Sequence, residues 1–143
     1  MAAVLVVDDD ADSRDAVSRF LLKSGHSVEC APNGREALAS LSAETPHIIV
    51  LDQRMPELDG VTFLEVLRCY LRWERIPVIL LTGYPDDIQI RRAMGLGVVQ
   101  LFAKADYGLS DLAACVERWT RPLPNLAIGN SMPTEGPPPS RLG

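Results

Sequence analysis

At 143 residues the chain has room for one domain with a real core and is too short for two ordinary ones. A net charge of −5, with no block of five or more like charges, argues against nucleic acid as a direct partner. No apolar stretch approaches the ~20 residues of a spanning helix, and the amino-terminus lacks the basic, apolar and cleavage regions of a secretory signal. No membrane partner is therefore expected, and the expected location is cytoplasmic.

In chain order, the β-branched run at 2–7 predicts a strand covered on both faces. Ala16, Val17, Phe20 and Leu21 recur at helical spacing over 12–25, with Gly25 as the stop. A short alternating strand is expected at 26–31, and a helix over 33–44 with Ala37, Leu38 and Leu41 on one face. Another apolar strand follows at 47–52. A helix is predicted over 60–73, with Val61, Leu64, Leu67 and Leu71 in register. Pro77 opens a strand at 76–82, where a missing N–H is tolerated. A shorter helix over 86–97 and a strand over 98–104 come next. The last helix, 110–120, is expected to take Ser110 as its N-cap, with Asp111 beside the positive end of the dipole.

Five strand–helix units with short connections imply an α/β fold, a doubly wound five-stranded parallel sheet with five helices. Beyond Arg121 the texture changes. Six of the eleven prolines fall in 121–143, without helical period, and a disordered Pro/Gly-rich tail after a 1–120 domain is expected. Cys30, Cys69 and Cys115 lie far apart, as reduced cytosolic thiols do, and apolar neighbours predict that each is buried. Trp73 and Trp119, near helix ends, are expected to pack.

In an open parallel sheet, ligands gather outside the carboxyl ends of the strands. Asp8 and Asp9 end the first strand, Asp52 the third, Thr82 the fourth and Lys104 the fifth. A polar residue at one strand end is ordinary. Complementary polar groups at four ends point to a site. Three carboxylates held together repel unless a cation sits among them or some are protonated. Oxygen-only ligation, with no His or Cys, favours a hard ion, Mg²⁺ above all. Asp10 is expected to face solvent or cap the first helix, with no metal role.

These motifs together resemble the response-regulator receiver domain, the CheY-like phospho-accepting module of two-component signalling, over about Val4 to Trp119. "VVDDDADSR" resembles the family's acidic-pair opening, "APNGREAL" the segment before its second helix, and "IIVLDQRMPELDG" its phospho-acceptor segment. "VILLTG" resembles the switch segment and "LFAK" the segment bearing the family's lysine. The resemblance implies a flavodoxin-like fold and a stand-alone receiver. It implies that Asp52 accepts a phosphoryl group, and that Asp8, Asp9, Asp52 and the backbone carbonyl of Arg54 hold Mg²⁺. Lys104 and Thr82 would contact phosphoryl oxygens. The implied partners are a sensor histidine kinase or phosphotransfer protein, and a downstream protein on the 86–119 face; a homodimer also fits. Such a protein catalyses its own aspartyl phosphorylation and hydrolysis rather than turning over a substrate.

The sequence departs from the family at Ala105, where proline usually follows the lysine, and at Leu101, where an aromatic usually stands. Phe102, next to Leu101, would point to the opposite face. These departures keep a second reading open, a phosphorylation-independent interaction module. A phosphatase with an aspartate nucleophile would need a second aspartate two residues after Asp52, where Arg54 stands. The resemblance implies that Arg54 and Tyr84 border the path of an attacking water and, with Leu101, modulate the site; as residues alone, Arg54 and Tyr84 read equally well as solvent-exposed loop positions. Pro56 and Gly60 are turn formers after it. Arg14 resembles a frequent family position, but its expected reading is a helix-surface arginine.

Overall fold

The computed structural model describes residues 1–55, 58–83 and 88–121. Five strands, β1 (Ala3–Val7), β2 (Ser27–Ala31), β3 (Ile48–Asp52), β4 (Val78–Thr82) and β5 (Val98–Ala103), form one sheet in the order β2-β1-β3-β4-β5. Every neighbouring pair is parallel. Between them run α1 (Ala11–Lys23), α2 (Gly34–Ala43), α3 (Gly60–Arg68), α4 (Ile88–Met94) and α5 (Leu109–Thr120). This is the flavodoxin-like doubly wound arrangement, with its switch point between β1 and β3.

The strands read as continuous apolar runs because both faces are covered. Leu5, Val7, Ile49, Leu51, Val78 and Leu80 point to the layer of α2, α3 and α4, against Phe63, Leu64 and Leu67. Their alternates Val4, Val6, Ile48, Val50, Ile79 and Leu81 point to α1 and α5, against Val17, Leu21, Leu112 and Val116. β2 alternates instead because it is a sheet edge, paired on one side only with β1.

Local signals set most helix ends. Gly25, at φ 96°, takes the left-handed conformation that stops α1. Asp10 caps α1, its carboxylate accepting from the Asp12 N–H at 3.2 Å. Asn33 caps α2, accepting from the Glu36 N–H at 2.8 Å. Replacing Asn33 with alanine is expected to cost about 1 kcal/mol in urea denaturation. An unchanged midpoint would show that the cap contributes nothing.

Four expectations need correction. The helix predicted over 60–73 stops at Arg68. The Arg68 guanidinium donates to the carbonyls of Trp73, Glu74 and Ile76 at 2.9–3.2 Å, and to those of Leu96 and Gly97. These bonds hold the chain in a series of tight turns. Leu71, expected inward, is 85% exposed, while Trp73 turns into the core. The last helix starts at Leu109, so Gly108 and not Ser110 is its N-cap; the Asp111 carboxylate accepts from the Gly108 N–H at 3.3 Å. Only Cys115 is buried: Cys30 lies on the edge strand and Cys69 on the cap of α3, both exposed. Trp119 is 45% exposed rather than packed away. The predicted tail, apart from Arg121, lies outside the described residues.

Candidate phosphoryl-acceptor site

Parallel pairing brings every strand's carboxyl end to the same edge. Val7 is level with Leu51, Asp52 with Leu81, and Thr82 with Ala103. Asp8, one residue past β1, therefore stands beside Asp52, the last residue of β3. Lys104, one past β5, follows Thr82, and its N–H donates to the Thr82 carbonyl at 2.7 Å. Asp8, Asp9 and Asp52 each offer a carboxylate oxygen, and these lie within 4.8 Å of one another. Asp8, Asp52 and Thr82 are buried, whereas Asp9 reaches solvent. The Lys104 ammonium lies 3.1 Å from Asp52 Oδ1.

The segment after β3 is held close against the acceptor. The Gly60 N–H donates to the Gln53 carbonyl at 2.9 Å. A Cβ at Gly60 would come within 3.0 Å of the Asp52 carbonyl oxygen and within 2.7 Å of Gln53 Oε1. Glycine there lets the start of α3 approach the backbone that carries Asp52.

Burial pushes the Asp52 carboxyl up to about 7. The Lys104 hydrogen bond opposes that rise, and the nearby Asp8 charge reinforces it. For Lys104, burial alone would lower the ammonium, but Asp52, Asp8 and Asp9 together hold it above its ordinary value. Thus the lysine is charged at neutral pH while the aspartate is poised between forms. The Asp8 Oδ2 atom is buried and has no hydrogen-bond partner among the described residues. A buried carboxylate oxygen without a donor is costly, and a cation among these oxygens would remove that cost.

The remaining predicted residues divide. Arg54 is exposed on the loop leaving β3, and Tyr84 lies outside the described residues. Leu101 packs toward the layer of α2, α3 and α4, and Phe102 toward α1 and α5. They face opposite sides, as strand geometry requires. The Phe102 ring lies 5.6 Å from that of Tyr107. Ala105 sits in a turn whose Asp106 and Tyr107 N–H groups both donate to the Ala103 carbonyl. Arg14 is not the surface residue expected: it is half-buried, and its Nη1 donates to the Asp8 carbonyl at 2.8 Å. The signal was its spacing, since Arg14 precedes Val17 and Leu21 by three and seven residues and shares their inward stripe.

Three carboxylates, a threonine and a lysine thus gather at the carboxyl edge of a doubly wound parallel sheet, where domains of this class place their ligand sites. The family model described as response regulator receiver domain matches residues 4–117, and the chain belongs to that family. The chemotaxis protein CheY4 of Vibrio cholerae is 30% identical with a TM-score of 0.76, covering 82% of this chain and 98% of that one. The signal receiver domain of a signal transduction histidine kinase from Syntrophus aciditrophicus is 31% identical with a TM-score of 0.77, covering 84% and 90%. Among curated relatives, the response regulator MprA of Mycolicibacterium vanbaalenii is 42% identical, over 65% of this chain and 38% of that one. An uncharacterized 14.6 kDa protein of Leptolyngbya boryana is 39% identical, over 66% and 72%. The chain spans only 15% of the gliding motility regulatory protein of Myxococcus xanthus and 34% of the protein-glutamate methylesterase/protein-glutamine glutaminase of Archaeoglobus fulgidus. In those proteins the matching part is a fraction of the whole. Among the described residues, no helix is long and apolar enough to cross a membrane.

Proposed function

We propose that the protein is a receiver whose Asp52 accepts a phosphoryl group from a phosphohistidine of a sensor histidine kinase or phosphotransfer protein. The observation that carries this reading is the Asp52 carboxylate, buried at the end of β3, 3.1 Å from the Lys104 ammonium and beside Asp8 and Asp9. An Asp52 oxygen would attack phosphorus as the phosphorus–nitrogen bond to histidine breaks, leaving an acyl phosphate; the bonding pair stays on the ring nitrogen, and a proton already on the other ring nitrogen makes the released imidazole neutral. Lys104 would pair with one phosphoryl oxygen and Thr82 would donate to another. The orphaned Asp8 oxygen and the all-oxygen donor set fit Mg²⁺, held by Asp8, Asp9, Asp52 and the Arg54 carbonyl. Bound there, the ion would offset repulsion between nucleophile and donor and stabilise charge on the transferring oxygens. The domain would modify only itself, in the cytoplasm. It would signal through a downstream protein on the 86–119 face, with residues 121–143 as a tail outside the receiver domain.

Two expectations test the site directly. Calorimetry should show Mg²⁺ binding that weakens in Asp9→Asn. In the native chain it should also weaken as pH falls below about 7, because ion and proton compete for the Asp52 carboxylate. Equal affinity in both proteins would remove Asp9 from the site. Second, Arg54 and Tyr84 would shield the acyl phosphate from in-line water, so an Arg54→Ala, Tyr84→Ala protein should lose its phosphoryl group faster. Equal dephosphorylation rates would dismiss the shielding.

Leu101 and Ala105 favour one other reading, a module that binds its partner regardless of phosphorylation. With no ring at 101, the response should be a modest population shift, on the order of 1–2 kcal/mol. Amide shift changes that reach residues 88–119 on phosphorylation support the switch. Changes confined to the surroundings of Asp52 support the constitutive module.

A further inference from the structure

We infer that Arg14 is a positioning residue that fixes Asp8 for cation binding, an inference that rests on the proposed receiver site. Asp8 follows the last residue of β1 and is held at three points. Its N–H donates to the Ala31 carbonyl at 3.1 Å, at the end of β2. Its Oδ1 accepts from the Asp10 N–H at 3.0 Å. Its carbonyl accepts from Arg14 Nη1 at 2.8 Å. Only Oδ2 is left without a donor, and it is buried. The first two bonds come from a strand neighbour and from within the turn. The third comes from the body of α1 and locks the turn to the helix. Arg14 also closes the loop through its own backbone, its N–H donating to the Asp10 carbonyl at 2.9 Å. The turn Asp8–Asp10 is therefore tied to α1 from both ends.

The carbonyl bond fixes the peptide that follows Asp8, and with it the placement of Asp9. Both carboxylates thus depend on a side chain that would touch neither the ion nor the phosphoryl group. A guanidinium bonded to the Asp8 carbonyl has two opposed effects on a cation site beside it. As a charge it repels the ion, so its removal should tighten binding. As a geometric clamp it preorganises two ligands, so its removal should loosen binding. Outer groups that orient metal ligands commonly govern affinity by about tenfold or more, and solvent at the mouth, where Asp9 is exposed, screens the charge effect. The clamp is the larger effect.

The test is Mg²⁺ titration of the full chain by calorimetry in wild type, Arg14→Gln and Arg14→Lys. Glutamine should weaken Mg²⁺ binding roughly tenfold, and lysine, which keeps the charge and one donor, should restore part of it. In labelling with acetyl phosphate, half-saturating Mg²⁺ should rise in Arg14→Gln, while the rate at saturating Mg²⁺ stays near that of wild type. Without metal, hydrogen exchange at the Asp10 amide should speed up in Arg14→Gln, whereas amides of β3 and β4 keep their protection. Unchanged or tighter Mg²⁺ binding in Arg14→Gln overturns the clamp and leaves the receiver site intact. Wild type that binds no Mg²⁺ overturns the receiver site and the clamp with it. Should glutamine prevent folding, the lysine variant decides alone: a weakened, partly retained affinity supports the clamp, and wild-type affinity opposes it.

Discussion

Replacing Asp52 with asparagine is expected to abolish phosphoryl acceptance and, without metal, to raise stability at pH 8 by about 1–4 kcal/mol. The folded-state carboxyl is raised from 3.8 to about 7. Between those values the folded protein keeps a proton that the unfolded chain has already released, so stability falls as pH rises through the window. Above pH 7 the deficit is complete, because the fold must hold a buried anion beside Asp8. Asparagine has the same shape and no charge. Removing one partner of a buried ion pair usually exposes the other to a penalty, but here the Lys104 side chain is 34% exposed and can turn to water. The relief therefore outweighs the loss. Urea denaturation at pH 5 and pH 8 checks this: the gap between variant and native chain should be small at the lower pH and large at the higher. A variant less stable than the native protein at pH 8 would contradict the account of strain at Asp52.

Lys104→Ala is expected to slow acceptance from acetyl phosphate at pH 7 on the order of 100-fold, as loss of one preorganised contact to a charge-bearing transition state does. Two effects act in the same direction. The transferring group loses a cation that would sit against its oxygens. The Asp52 carboxyl also loses the hydrogen bond and the charge that hold its pKa down, so it rises further and less of it is ionised at pH 7. The second effect is reversible by base. The variant's deficit should shrink as pH is raised toward 9, and whatever remains there measures the direct contact. A rate equal to that of the native chain at pH 7 would exclude Lys104 from the site.

The sheet was legible because buried parallel strands are apolar throughout and short connections leave one simple topology. The strand-end aspartates and lysine were legible for the same reason, since parallel strands place all their ends on one edge. Arg68 was not. Its effect is to satisfy carbonyls from residues 73–76 and 96–97 at once, and no periodicity in the local sequence signals such a contact. The helical spacing of Val61, Leu64, Leu67 and Leu71 accordingly runs past the point where the helix ends. The exposure of Cys30 depended on strand order, because it follows from β2 being an edge. Arg14 was readable from its spacing with Val17 and Leu21, but a charged residue on an inward stripe passes for a solvated face until the Asp8 carbonyl is placed. The Leu101 and Phe102 alternation was readable because strand geometry permits nothing else.

The central claim is that Asp52 receives the phosphoryl group with the help of a divalent cation. Intact-mass measurement after incubation with acetyl phosphate tests it most directly, comparing the native chain with Mg²⁺, the native chain with chelator, and Asp52→Asn with Mg²⁺. The account predicts one added phosphoryl group, lost on mild base, in the first sample alone. Equal labelling of Asp52→Asn, or labelling of the native chain in chelator, would contradict it.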